Sequence, residues 1–91
     1  MAIGVYFASQ SMTAQRYSEV IKQLEAAGAG SPKGRRYHAS FGDTNDLHVF
    51  DVWDSQAEFD AFGATLMPIL AKAGVTPAQP QIMPIHNIIK P

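Results

Sequence analysis

Proton-exchanging side chains recur beside the apolar segments of this sequence and make acid/base chemistry the first hypothesis. The candidate catalytic residues are Tyr6, His38 and His86. A neutral histidine near a carboxylate can accept a proton at pH 7, and a tyrosine or arginine can stabilise the oxyanion that forms. The candidates for holding a substrate are Arg36 and Asp51. Such a set would suit proton transfer on a small organic molecule.

Each candidate also has a structural interpretation. Arg36 and Asp51 could form a cross-strand ion pair, which stabilises a sheet by about 0.2–1 kcal/mol. Trp53 could lie in the core or in a subunit interface with its indole N–H on a carbonyl group. His38 and His86 could be structural side chains or pocket residues, and the sequence leaves both interpretations open.

The elements that would position these residues follow the order βαββαβ. Ser55 and Glu58 form a capping box directly after an alternating strand, so a helix begins there. Helical spacing of apolar residues and turn residues at the boundaries predict the remaining elements. The predicted strands are 2–8, 35–41, 47–53 and 81–89. The first predicted helix begins after 9–13 and ends at Gly28, and the second begins after 52–55 and ends near Gly74. Pro84 predicts an edge position or a bulge for the last strand.

The predicted turn at 42–45 sets the register of the hairpin. If Phe41 pairs with Asp46, then Arg36 faces Asp51 and His38 faces Val49. One face of the hairpin is then mostly apolar and suited to cover by both helices: Tyr37, Ala39, Phe41, Phe50 and Val52. The other face is mixed: Arg36, His38, Ser40, Leu47, Val49, Asp51 and Trp53. A second copy of the sheet would cover this mixed face, because both helices of a βαββαβ unit pack on one side.

The alternation of side chains along a strand also assigns the residues of the first strand to its two faces. Ile3, Val5 and Phe7 are expected toward the helices, and Tyr6 is expected beside the mixed face. A bulge in the turn would change the register and set His38 opposite His48. Two imidazoles could begin a metal site, but a catalytic zinc usually has three protein ligands and no third one is evident, so we predict no metal.

Composition limits the other functional classes. The chain has 91 residues and is expected to form a single domain over 1–91; it is 46% hydrophobic and 16% charged, and carries a net charge of −1. This charge predicts neither nucleic acid nor a membrane surface as partner. No segment approaches the roughly 20 apolar residues of a membrane span, and the sequence shows no secretory leader and no cysteine, so we expect a cytoplasmic protein. No nucleotide-binding or metalloprotease motif occurs, and we expect no cofactor.

The passage from strand to helix also supports a resemblance to a known group. Val52-Trp53-Asp54-Ser55, followed by Glu58, Phe59 and Phe62, resembles the Trp-x-Ser junction of the dimeric α/β-barrel superfamily. That superfamily includes antibiotic-biosynthesis-monooxygenase-like and stress-responsive barrel proteins. The resemblance covers nearly the whole chain and implies an α+β, ferredoxin-like fold with a four-stranded antiparallel sheet. It further implies a homodimer that forms an α/β barrel around small-molecule cavities.

Members of this superfamily oxygenate aromatic polyketides without a cofactor, degrade haem, cyclise polyketides or isomerise lactones. Haem degradation is disfavoured here, because the first strand lacks an Asn and the second helix lacks a His. The oxygenase branch would use Trp53, Tyr6, Arg36 and Asn87 to hold a phenolic substrate. The cyclase branch would pair Tyr6 with His38 or His86. The resemblance therefore implies a cofactor-free monooxygenase or cyclase/isomerase for a small aromatic or polyketide-like substrate; the alternative is a non-catalytic ligand-binding or interaction module.

Overall fold

Four strands and two helices follow one another in the order that the sequence predicts. The computed structural model describes residues 1–8, 12–76 and 79–91. The elements are β1 (Ile3–Phe7), α1 (Ala14–Ala26), β2 (Arg35–Asp43), β3 (Asp46–Trp53), α2 (Gln56–Lys72) and β4 (Gln81–Pro84). The strands form one antiparallel sheet in the order β2-β3-β1-β4. The predicted α+β architecture, with its βαββαβ order, is confirmed.

Local signals in the sequence explain where both helices begin and end. The side chains of Thr13 and Ser55 accept hydrogen bonds from the backbone N–H groups of Arg16 and Glu58, which otherwise lack partners in a first turn. Gly28 and Gly74 follow the helices with φ of 74° and 78°, a conformation that costs glycine little. Both predicted helix ends are confirmed. Pro68 lies inside α2, which continues through it to Lys72.

The hairpin register differs from the prediction by two residues. Phe41 pairs with His48 rather than with Asp46, and His38 pairs with Asp51. The reason is a shorter turn: β2 continues to Asp43, whose carboxylate accepts a hydrogen bond from the backbone N–H of Asn45 at 2.8 Å. Only Thr44 and Asn45 remain between the strands. The predicted pairs of Arg36 with Asp51 and of His38 with Val49 are therefore wrong.

The helices cover the mixed face of the hairpin, which the sequence analysis assigned to a second copy of the sheet. Trp53 is fully buried and packs its ring 5.7 Å from Phe59 of α2. Tyr37 and Phe41, predicted under the helices, are 57% and 48% exposed. The pairing with β1 explains the inversion, because its helix-facing residues pair with the mixed set of β3: Ile3 with Trp53, Val5 with Asp51, and Phe7 with Val49. The helix-facing assignment within β1 is thus confirmed, and that within the hairpin is wrong.

The opposite side of the sheet, here called the open face, carries several aromatic and apolar side chains. Its members are Tyr6, Tyr37, Phe41, His48, Phe50 and Met83. β4 lies at a sheet edge and ends at Pro84, so the edge position predicted for this proline is confirmed, whereas the predicted strand continues five residues too far. Within the described residues, neither helix has the length and apolar character needed to cross a bilayer.

Candidate active site

A cavity of about 60 Å³ lies between the sheet and the helices. Its lining is mostly apolar and comes from all layers of the domain: Phe7, Met12, Val20, Ile21, Leu24, Val49, Phe62, Leu66, Leu70 and Val75. Four lining residues carry polar groups: Tyr17, Arg35, His38 and Asp51. A few polar side chains in an apolar cavity are typical of small-molecule sites.

Asp51 is the buried carboxylate of this polar group and contacts two other side chains. It is only 3% exposed, on β3 under the helices. Its Oδ1 atom lies 2.6 Å from Nδ1 of His38, and its Oδ2 atom accepts a hydrogen bond from the indole N–H of Trp53 at 3.2 Å. A buried carboxylate is stable only when such donors replace its water, so Trp53 and His38 together compensate for the burial of Asp51.

His38 connects this carboxylate to the helix layer. It faces Asp51 across the β2–β3 pair, and its Nε2 atom lies 2.6 Å from the hydroxyl oxygen of Tyr17 on α1. The two rings stack with an interplanar angle of 7°. An ionised carboxylate only accepts, so a neutral His38 donates from Nδ1 to Asp51 and accepts at Nε2 from the Tyr17 hydroxyl.

The four side chains form one continuous hydrogen-bonded chain, Trp53–Asp51–His38–Tyr17. Asp51 orients the imidazole and can stabilise its protonated form, as an acidic group does in a nucleophile–histidine–acid arrangement. Tyr17 is the end of this chain and shares the cavity lining with the apolar residues. A proton that moves from Tyr17 to His38 therefore forms an imidazolium between the Asp51 carboxylate and the Tyr17 phenolate.

A bulge in β2 determines which arginine reaches the cavity. The register shifts between Arg35 and Tyr37, so Arg35 pairs with Trp53 and shares the helix-facing side of the sheet. The Arg35 guanidinium lies over the Phe62 ring at 5.8 Å and donates to the carbonyl oxygen of Gly30 at 3.1 Å. Arg36 is instead the bulged residue and forms an ion pair with Asp54 at the surface.

The structure distributes the seven predicted site residues over three places. His38 and Asp51 line the cavity, and Trp53 donates a hydrogen bond to Asp51 from outside the lining. Tyr6 lies on the open face. Arg36, His86 and Asn87 are exposed, the last two in the segment after β4. The structure thus brings three of the seven residues together, and substrate contacts by the others remain predictions.

Tyr6 forms a second tyrosine–histidine pair on the open face. Its hydroxyl oxygen lies 2.6 Å from Nδ1 of His48, whose Nε2 atom is 3.7 Å from a carboxylate oxygen of Asp46. His38 and His48 therefore lie on opposite faces, and the alternative register that paired them is wrong. Within the described residues, no three His, Asp or Glu side chains are placed to hold a metal ion.

Two cavity residues, Tyr17 and Arg35, were not among the sequence candidates. Tyr17 recurs at helical spacing with Val20, Ile21 and Leu24, a pattern that indicates only the apolar side of α1. Its hydroxyl is the signal that could have identified it as a site residue, because a tyrosine on a buried helix face needs a hydrogen-bond partner. The position of Arg35 depends on the bulge, for which the sequence gives no local sign.

Comparisons with known proteins place this geometry in a recognised fold. No protein-family profile matches the sequence. No curated protein sequence matches it significantly either. Among solved structures, a proposed antibiotic biosynthesis monooxygenase of Chloroflexus aurantiacus has a TM-score of 0.64 at 15% identity, over 97% of both chains.

Two further solved structures agree. SnoaB, a cofactor-independent oxygenase of Streptomyces nogalater, has a TM-score of 0.61 at 15% identity and covers 97% of this chain and 94% of its own. A proposed antibiotic biosynthesis monooxygenase of Deinococcus radiodurans has a TM-score of 0.57 at 13% identity, over 99% of this chain and 97% of its own. The chain therefore has the ferredoxin-like fold of antibiotic-biosynthesis-monooxygenase-like proteins, as the Trp-x-Ser junction predicts.

Proposed function

We propose that this protein is a small-molecule enzyme that transfers protons in the cavity between sheet and helices. The observation that supports this most is the chain Trp53–Asp51–His38–Tyr17, which ends at an apolar cavity. A structural polar cluster needs satisfied hydrogen bonds only. This cluster additionally places a tyrosine hydroxyl on a histidine that is itself held by a buried carboxylate, which is the order that proton transfer requires.

In the proposed mechanism, the Tyr17 hydroxyl proton moves to Nε2 of His38, and Asp51 stabilises the resulting imidazolium. The Tyr17 oxygen then accepts a proton from an acidic C–H or O–H group of the substrate. The enolate or phenolate that forms is electron-rich. It can react with O₂ in a cofactor-free oxygenation, or attack an electrophilic carbon in a cyclisation or isomerisation. His38 returns its proton through Tyr17 at the end of the cycle.

The fold supports the oxygenase version of this proposal, since SnoaB is a cofactor-independent oxygenase with the same architecture. A small aromatic or polyketide-like substrate is the corresponding expectation. The cavity of about 60 Å³ is, however, smaller than the roughly 150 Å³ that holds a benzene molecule in an engineered protein core. An aromatic substrate would therefore have to displace lining side chains such as Leu66.

We also propose a homodimer that pairs two open faces. Tyr37, Phe41 and Met83 are about half exposed there, and contiguous apolar patches on a protein surface commonly mark interfaces. A second sheet packed on this side would bury them and leave the helix-side cavity of each subunit intact. Each candidate site would then be formed within one chain.

A ligand-binding or interaction module without catalysis is the second candidate function. The small and mostly apolar cavity favours it, because a site of this kind can hold a compact ligand without any reaction. In that case the hydrogen bonds of Tyr17 would serve only to satisfy its hydroxyl in a half-buried position.

Deuterium exchange separates these functions without knowledge of the natural substrate. Small ketones, 2-oxoacids and phenols are incubated with the protein in D₂O, and loss of proton signal at acidic positions is followed by NMR. Wild-type protein should accelerate exchange for at least one compound. Tyr17→Phe should lower that rate about 10²-fold or more, a typical contribution of a positioned acid or base.

Tyr37→Phe is the matched control, since it removes the same hydroxyl from the open face, outside the cavity lining. It should retain the wild-type exchange rate. Saturable binding without exchange would favour the binding module. Equal exchange by wild-type and Tyr17→Phe protein would contradict the proposed enzyme.

A further inference from the structure

We propose that the cavity takes a compact carboxylate anion and that Arg35 is the residue that binds its charge. This inference rests on the proposed function, because it assigns a substrate class to the same cavity. It concerns binding alone, however, and can be tested in the absence of turnover.

The contacts of Arg35 leave most of its donors unused within the protein. A guanidinium has five N–H donors, and Arg35 directs Nη2 to the Gly30 carbonyl oxygen at 3.1 Å. The Cζ atom of its guanidinium lies 5.8 Å from the centre of the Phe62 ring. Within residues 1–8, 12–76 and 79–91, no carboxylate forms an ion pair with it. Arg35 therefore contributes a positive charge, and donors without a partner among the described residues, to a mostly apolar lining.

The one carboxylate of the cavity, Asp51, forms no ion pair with Arg35. Both oxygens of Asp51 already accept hydrogen bonds, one from His38 and one from Trp53. A carboxylate on the ligand would instead meet the planar fork of Arg35 and could accept two parallel hydrogen bonds. An uncharged ligand would leave these donors to water. The donors of Arg35 that lack a partner in the described part of the chain thus favour a carboxylate over the matching neutral amide.

The size and spacing of the site limit the anion to a compact one. Arg35 and His38 pair with Trp53 and Asp51, which are successive residues on one face of β3 and therefore about 7 Å apart. A cavity of about 60 Å³ corresponds to roughly four to six water-sized volumes. A short 2-oxoacid or similar carboxylate could place its anionic end on Arg35 and its acidic C–H group toward Tyr17.

Two pairs of probes test the charge preference directly. Propanoate and 2-oxobutanoate are titrated into ¹⁵N-labelled wild-type protein, each against its uncharged amide, propanamide and 2-oxobutanamide. Carboxylates should bind saturably, shift the amide signals of cavity-lining residues, and have a Kd at least tenfold below that of the matching amide. Equal Kd values for acid and amide would overturn the inference.

The adjacent arginines provide a matched pair of variants. Arg35→Gln should abolish the preference for the carboxylate, whereas Arg36→Gln removes the same charge at the surface and should keep Kd within twofold of wild type. Arg35→Lys retains the charge without the fork, so it should keep a weakened preference even if Arg35→Gln fails to fold. A loss of carboxylate affinity in Arg36→Gln equal to that in Arg35→Gln would contradict the assignment.

The titration and the deuterium-exchange assay together separate the inference from the proposed function. Arg35-dependent carboxylate binding in a wild-type protein that shows no deuterium exchange would uphold the anion site and reject the enzyme. Exchange that depends on Tyr17, combined with equal binding of acids and amides, would uphold the enzyme and reject the anion site.

Discussion

Nδ1 of His38 and Oδ1 of Asp51 lie 2.6 Å apart across two adjacent paired strands. Both backbones are fixed by the sheet, so the geometry of this contact does not depend on a loop. Tyr17 meets the other ring nitrogen from α1, which packs above. Helix and sheet therefore hold the ends of the proposed proton path independently, and small movements of α1 would change the Tyr17 contact before they change the Asp51 contact.

Asp51→Asn should disturb both stability and proton transfer. With its amide oxygen toward His38, the new NH₂ group faces the Trp53 N–H, so that two donors meet. With the amide reversed, the NH₂ group faces Nδ1 and selects the His38 tautomer that cannot accept from Tyr17. The first orientation breaks one hydrogen bond of a buried group, and the second reverses the His38–Tyr17 hydrogen bond, because the Tyr17 hydroxyl can also accept. Both orientations replace the charged acceptor of Asp51 by a neutral one. We expect the free energy of unfolding to fall by about 1–3 kcal/mol in urea melts.

The same variant should slow the exchange reaction by about 10²-fold or more, since His38 then loses the carboxylate that stabilises its protonated form. Long-range ¹H–¹⁵N spectra of the ring should report the change of tautomer. Asp46→Asn is the control, because it makes the same substitution beside His48 at a largely exposed position. Its effect on stability should stay within about 0.5 kcal/mol. Unchanged exchange in Asp51→Asn would exclude Asp51 from the mechanism.

Ser55→Ala should weaken the start of α2. The Ser55 hydroxyl accepts from the Glu58 backbone N–H at 3.2 Å and donates to the Glu58 carboxylate at 3.0 Å. Loss of an N-cap side chain costs about 1 kcal/mol, so the urea midpoint should decrease with an unchanged slope. Ser18→Ala replaces an exposed serine within α1 and should be neutral or slightly stabilising. A similar loss in both variants would argue against the cap.

Phe41→Glu should convert the proposed dimer to a monomer. Phe41 is 48% exposed on the open face and lies beside the rings of Tyr6 and His48, so a carboxylate there would be buried without a partner in a face-to-face dimer. Native mass spectrometry reports the subunit count. Met67→Glu adds the same charge on α2 at the same exposure of 48% and should leave the dimer intact. A wild-type monomer would reject the pairing of open faces.

The sequence predicted those parts of the fold that depend on short stretches of chain. Capping residues and glycines determine the ends of both helices locally, so their positions could be predicted from neighbouring residues alone. Register is different: a turn of two residues instead of four moved His38 from Val49 to Asp51. Because the shift was even, each set of hairpin side chains kept its face, apart from the residues at the bulge.

The choice of the buried face could not be made from polarity. The set with Asp51 and His38 looked too polar for a core, yet these groups satisfy each other and Trp53 once they are brought together. Such mutual satisfaction depends on contacts between strands that single-residue patterns do not contain. The candidate site was therefore predicted in three of these five members: His38, Asp51 and Trp53 were identified, whereas Tyr17 and Arg35 were not.

The sheet carries two tyrosine–histidine contacts of equal length, 2.6 Å, on its two sides. Tyr17 with His38 faces the apolar cavity, and Tyr6 with His48 faces outward. The chain thus contains an internal comparison: the same two functional groups in two environments, joined through Nε2 in His38 and through Nδ1 in His48. A reactivity that Tyr17 shows and Tyr6 lacks would then originate in the ring nitrogen used, the buried carboxylate and the enclosed volume, because a tyrosine–histidine contact of this length is present in both.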